Sequence, residues 1–322
     1  VWDFLGLGLA LGVSGVVLYL PFYLGFSSQA GGILPNLIYP SRGVHLWVMF
    51  GPLLLPLIAY LTYLWNLGGE KRSLLKGLIA TLVGMILLLI LAVLFGFGIV
   101  NLPIIGGIYL DSLGGIGQPA ELFQQVFVRR LNSPGGWMTL GVLMSVVLGL
   151  LWPRRVKNNN LEGDDRTILS QTSPKTYPLD PVHVFALLLV ALGLLAVIGA
   201  EFFYLRDQFG WRINTIFKFY YQAWLLWGVA VAFGSAVLLQ DLRGKWSIVY
   251  RVGLILVLLA ALVYPVLSVW SKTNGFQPPA GIDLDGTAYF ENQNPDEMAA
   301  IQWLQTAPPG IVLEAVGGSY TS

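Results

Sequence analysis

Residues 74–98 read LLKGLIATLVGMILLLILAVLFGFG, with one charge, Lys76, near the start. At about 1.5 Å rise per residue this run is long enough to cross the roughly 30 Å hydrocarbon core of a bilayer. Hydrocarbon offers no water to backbone N–H and C=O groups, so such a run must be helical. Six further stretches have the same character, at about 3–24, 46–66, 136–152, 182–200, 217–239 and 247–270, of which 136–152 is the shortest. Composition agrees. Of the 322 residues 56% are hydrophobic and 11% charged, against roughly 25% charged in soluble domains. The expected fold is therefore an all-α polytopic membrane protein with about seven transmembrane helices.

Several function classes drop out. A formal net charge of +1 lacks the basic footprint of a nucleic-acid binder. Without cysteine there is no disulfide framework, thiolate chemistry or Cys-based zinc site, and His45 and His183 stand far apart in the chain. No metal site is predicted, and no cofactor is indicated, although a divalent cation beside an acidic residue stays open. Gly8, Gly12, Ser14 and Gly15 would let the first helix approach a neighbour closely. The chain starts at Val1 inside an apolar run and ends at GGSYTS, which reads as a segment truncated at both ends.

Counting Lys and Arg orients the helices. Eleven fall in the loops around 67–76, 153–181 and 240–251, and seven on the opposite side, at Arg42, Arg129, Arg130, Arg206, Arg212, Lys218 and Lys272. The positive-inside rule makes the first side cytoplasmic. The polar, turn-rich run KNNNLEGDDRTILSQTSPKTYP in the cytoplasmic loop reads as a flexible linker. The loops at 25–45 and 99–135 and the tail 271–322 are then extracytoplasmic. Within the second loop, PAELFQQVFVRRL (119–131) groups Leu122, Phe123, Val126 and Phe127 on one helical face, with Gln and Arg elsewhere, as in a helix lying in the interface. Asp111 sits in a Gly-rich part of that loop and reads as a turn residue. In the tail, Asn294 as a cap, Pro295 at the first helical position and Asp296 and Glu297 in the first turn predict a helix. PPGIVLEAVGG then reads as a turn and a buried strand, the start of an extracytoplasmic α/β domain.

The chemistry concentrates at EFFYLRDQFGWRINTIFKFYYQAWLLW (201–227), where charges stand before an apolar run. A helix beginning near Trp211 carries Asn214, Lys218, Tyr221 and Gln222 on one face. Such a polar stripe inside a span normally faces a bundle interior or cavity. The helix N-terminus, Arg206, Arg212 and Lys218 suit a phosphate at the membrane surface, with Arg42 from the 25–45 loop as a further contact. His45 is a candidate acid, base or phosphate donor. Nearby aromatics would line a lipid-tail groove. The competing reading has Lys218 snorkelling, Trp211 and Tyr220 in an aromatic belt, and Glu201 or Asp207 paired with Arg206 or Arg212.

The run AEFFYLRDQFGWRINTIFKFYYQAW (200–224) resembles the signature of the Chlor_Arch_YYY family of multispan membrane proteins. LYLPFYLGFSSQAGGILPNL (18–37) and GIVLEAVGGSYTS (310–322) resemble it too. Ala200 replaces the family's Pro, and Ile213 and Ile216 replace Met and Val. The resemblance extends to GT-C membrane glycosyltransferases, and implies a polyprenyl-phosphate-linked sugar donor used at the extracytoplasmic face of the lipid bilayer. It places the catalytic acid in a loop before Val1, with Glu201 and Asp207 as weak alternatives. Arg206, Arg212 and Lys218 would then hold the donor phosphate. The other classes are a transporter or flippase for a lipid-linked or anionic solute, and a non-catalytic scaffold.

Overall fold

A computed structural model describes residues 2–25, 32–67, 73–113, 116, 118–152, 179–206, 212–277, 281 and 284–313. Six of its helices are long and apolar enough to cross a membrane: α2 (Gly43–Leu67), α3 (Leu74–Val100), α6 (Pro134–Leu151), α7 (Pro181–Phe202), α8 (Ile213–Asp241) and α9 (Gly244–Lys272). The first expected stretch forms α1 (Trp2–Gly25), whose described apolar part, Gly6–Phe22, is shorter than a full span. Most of the helices outrun the apolar stretches that announce them, because polar end residues and first-turn prolines, such as Pro134, Pro181, Glu201, Asn214, Asp241 and Lys272, are helical without belonging to an apolar run. Ser73 accepts from the Lys76 N–H at the start of α3. Asp180 accepts from the Val182 N–H at the start of α7, and Pro181 takes the first helical position. The shortest span, α6, likewise starts on a proline, Pro134.

Two compact units divide the chain, Val1–Val257 and Leu258–Ser322, with the boundary falling inside α9. In the first unit, α7 packs on α8, α3 on α6, and α2 against α6 and α8. Trp227 of α8 is fully buried and its indole N–H donates to the Val190 carbonyl of α7 at 3.1 Å. Phe50 of α2 meets that indole edge-on at 4.8 Å. Small residues permit this closeness. A Cβ on Gly193 would stand 2.3 Å from Trp227 Nε1, and one on Gly77 of α3 would stand 2.1 Å from the Ser145 carbonyl of α6.

Gly77→Ala is therefore expected to push α3 off α6, at about 1–3 kcal/mol for an overpacked contact. Thermal unfolding of the detergent-solubilised protein measures it. Gly84→Ala, whose Cβ meets nothing within 4 Å, should leave the midpoint unchanged.

Four short elements join the long helices of this unit. Strand β1 (Ile33–Pro35) pairs antiparallel with β2 (Phe203–Leu205), Leu34 opposite Tyr204. The ladder continues at both ends, Arg206 N–H to Gly32 O at 2.9 Å and Asn36 N–H to Phe202 O at 2.7 Å. Gly32 has φ +99°, a conformation open to glycine and strained for other residues. Its neighbour Gly31 lies outside the described residues.

Helix α4 (Ile105–Ser112) replaces the expected Gly-rich loop, with Asp111 exposed in its last turn. Tyr109 of α4 donates its hydroxyl to the Pro35 carbonyl at 2.9 Å and so braces β1. Helix α5 (Pro119–Asn132) lies where an amphipathic helix is expected, but its buried face is Leu122, Val126 and Arg130. Phe127 is exposed. The i, i+4, i+8 row is set by a polar target for Arg130 on the protein, not by hydrophobicity alone.

In the second unit, α10 (Gly286–Gln293) is capped by Asp285, whose carboxylate accepts from the Thr287 N–H at 2.8 Å. Helix α11 (Pro295–Thr306) has Pro295, Asp296 and Glu297 in its first turn as expected. Asn294 occupies the cap position but makes no side-chain cap bond. Ile311 and Leu313 are exposed, and residues 307–313 form no strand. A strand requires a neighbour to pair with, and none is present among the described residues. The remainder of the expected strand lies outside them.

Candidate functional site

The last carbonyls of a helix have no intrahelical partner. At the end of α7 these are Ala200, Glu201 and Phe202, and each is met from elsewhere in the chain. Arg212 Nη1 donates to Ala200 O at 3.0 Å. Arg130 Nη2 donates to Glu201 O at 3.1 Å and to Asn36 O at 2.8 Å. Asn36 Nδ2 also donates to Glu201 O, at 2.9 Å. Two guanidinium groups thus stand at the negative end of the α7 dipole. Arg130 further stacks over the Phe202 ring at 4.9 Å, while its buried Nε has no partner among the described residues. Burial lowers its pKa from the ordinary arginine value, with Glu201 acting in the opposite direction.

The Glu201 side chain is the hub of a second layer. Its Oε1 accepts from Arg212 Nη1 at 2.9 Å and from the Tyr220 hydroxyl at 3.3 Å. Its Oε2 accepts from the Ser41 N–H at 2.9 Å. Ser41 Oγ accepts from Arg212 Nη2 at 3.0 Å and lies 2.9 Å from the Tyr220 oxygen. Directionality follows: Arg212 donates to Ser41, Ser41 to Tyr220, and Tyr220 to Glu201. The pair is almost fully enclosed, with side-chain exposures of 9% for Arg212 and 5% for Glu201. A buried pair persists only when its remaining lone pairs and protons are satisfied, and here Ser41 and Tyr220 satisfy them.

Above this network lie two cavities that share Pro40, Arg42 and Arg212 as a common wall. The first, about 410 Å³, is lined by Arg42, Arg129 and Arg212 with Tyr39, Asn132 and Ser133, and no carboxylate among the described residues lines it. Arg129 reaches the Ile38 carbonyl at 3.3 Å. Burial raises the Tyr39 phenol's pKa, Arg129 working against it, so Tyr39 stays neutral. The second, about 510 Å³, runs between α2 and α8. It is lined by His45, Leu46 and Met49 on one side and Ile213, Ile216, Phe217, Tyr220 and Tyr221 on the other.

Arg42, Arg212, His45 and Tyr221 are thus brought to one place. The others are not. Helix α8 starts at Ile213, with Arg212 at the cap, and its buried face runs through Thr215, Tyr220, Ala223 and Trp227. The expected polar stripe lies beside that face: Lys218, Tyr221 and Gln222 are exposed and Asn214 is half-buried. Lys218, Tyr221 and Gln222 lie in the first turns of a 29-residue helix, and polar groups near the end of a span can reach headgroups instead of hydrocarbon, so the rule that polar residues turn inward binds less strictly there. Arg206 is exposed, and its backbone N–H donates to Gly32 O. Asp207 and Trp211 lie outside the described residues.

Ser41, Arg129 and Arg130 emerge as site residues that sequence reasoning did not single out, while Asn36 reads there as one of several hydrogen-bonding loop residues and Tyr220 as a belt or groove aromatic. Of the first three, only Arg130 carried a legible signal, its spacing of four and eight residues from Val126 and Leu122. Among the described residues no group of three potential metal ligands is found.

The chain belongs to the family described as uncharacterized membrane protein (DUF2298), which matches residues 3–227. That span contains every residue of the network and both cavities. No curated protein and no solved structure matches the chain.

Proposed function

We propose that this member of a membrane-protein family is a GT-C-like glycosyltransferase that takes sugar from a polyprenyl-phosphate carrier at the extracytoplasmic surface. One observation carries the reading: a cavity with three arginines, and no carboxylate among the described residues, shares a wall with an apolar cavity between two membrane helices. An anionic headgroup fits the first, since charge-assisted bonds from guanidinium groups are its natural partners. A hydrocarbon tail fits the second, leading from the surface down between α2 and α8. The excess of basic residues on the opposite loops supports an extracytoplasmic site. The resemblance at residues 200–224 supports the reaction class.

In that reaction the acceptor hydroxyl oxygen bonds to the anomeric carbon of the sugar. The bond from that carbon to the phosphate oxygen breaks, its electron pair leaves with the lipid phosphate, and the hydroxyl proton passes to a carboxylate base. Glu201 does not supply that base, because it lines neither cavity and is engaged by Arg212, Tyr220 and Ser41. Arg42, Arg129 and Arg212 stabilise the charge that grows on the departing phosphate.

The test is reconstitution of the full-length protein in liposomes with a labelled polyprenyl-phosphate hexose. The expected result is time-dependent release of polyprenyl phosphate, abolished in Arg42→Ala/Arg129→Ala. Translocation of the intact donor without cleavage would instead establish a transporter, and absence of binding across a donor panel would overturn the reading.

A further inference from the structure

We infer that the headgroup this site takes is a diphosphate diester rather than a monophosphate diester. The inference rests on the lipid-phosphate reading above and concerns the linkage within it. Charge matching is the argument. Of the three arginines lining the polar cavity, Arg212 is already neutralised by Glu201 at 2.9 Å. Among the described residues, Arg42 and Arg129 have no carboxylate partner. The cavity therefore presents two uncompensated guanidinium groups, and a third that is compensated yet still offers its N–H edge. A lipid–phosphate–sugar diester carries one negative charge, and would engage only one of the two guanidinium groups. The corresponding diphosphate carries two and pairs both. Both groups are exposed within the cavity, so the second charge adds a second charge-assisted contact where the monophosphate leaves only water.

The geometry agrees with the count. Arg129 approaches from α5, and Arg42 from the turn before α2. Arg42 and Arg212 line both cavities, whereas Arg129 lines the polar one alone. A phosphate at the shared wall would meet Arg42 and Arg212, next to the tail. A second phosphate, farther from the tail, would meet Arg129 with Tyr39, Asn132 and Ser133. Arg129 is then the residue that discriminates between the two headgroups.

The test uses full-length protein in nanodiscs, titrated with a polyprenyl-phosphate hexose, the matching polyprenyl-diphosphate hexose and inorganic pyrophosphate. The diphosphate lipid should bind about 10-fold more tightly than the monophosphate, as one added charge-assisted contact allows. Arg129→Gln should reduce that preference to within about 3-fold and leave monophosphate affinity intact, while Arg42→Gln weakens both lipids. Equal or tighter monophosphate binding overturns the inference and leaves the lipid-phosphate reading standing. Binding of neither lipid overturns both. Pyrophosphate binding as tight as the lipid diphosphate would show a soluble diphosphate ligand and overturn the lipid part.

Discussion

Glu201→Ala is expected to destabilise the helical unit by about 3–5 kcal/mol, the usual consequence of removing one partner from a buried ion pair. The reason is local. Arg212 would keep its charge in an enclosed site, the Ser41 N–H and the Tyr220 hydroxyl would lose their acceptor, and the junction of α7, α8 and the turn before α2 would come apart. Removing both charges together, as Glu201→Met with Arg212→Met, should be milder than either single change, because no charge is left without its partner. Thermal unfolding of the solubilised protein reads the difference. The same series separates two roles for Glu201. A positioning role predicts that Glu201→Gln loses stability and activity together. A general acid or base would instead lose activity at full stability, and that outcome would sink the positioning role.

Arg42→Ala and Arg129→Ala are expected to act in the opposite way, weakening binding of the diphosphate-linked lipid with little effect on folding. Arg42 is exposed and Arg129 makes one long contact, at 3.3 Å, to a backbone carbonyl, so truncation leaves no buried group stranded. A hydrogen bond to a charged group contributes about 1.5–3 kcal/mol, which converts to about 10- to 100-fold in dissociation constant per arginine. Lys218→Ala is the informative control. Lys218 lines neither cavity and points away from the buried face of α8, and its removal should leave affinity within about 2-fold. Titration in nanodiscs measures all three. A loss at Lys218 as large as at Arg42 would move the phosphate site to the outer face of α8.

Much of the architecture is legible without coordinates, and the reason is solvent. Hydrocarbon forces every spanning segment to satisfy its own backbone, so a run such as 74–98 has one available conformation. The helix ends are nearly as legible, since Pro134, Pro181 and Pro295 take first-helical positions and Ser73, Asp180 and Asp285 cap helices through their side chains. The β1–β2 ribbon escapes because three residues are too few to show an alternation, and its strands lie far apart in sequence.

The site divides in the same way. Sequence alone determined that this is a polytopic helical membrane protein, and that its unusual charges gather at one end of α7 and α8. It also held both readings of Glu201, as a reacting group and as the partner of an arginine. Tertiary structure favours the second by bringing Arg212 to 2.9 Å of the carboxylate and Ser41 to the other oxygen. It also decided that Arg129, not Lys218, shares a cavity with Arg42 and Arg212. Helical periodicity orders residues around one axis but does not choose which side of that axis is buried. For α8 that choice fell to Trp227, Ala223 and Tyr220 packing on α7 and α2, and at Lys218, roughly 7.5 Å below the start of the helix, the membrane surface is close enough for a charge to face outward.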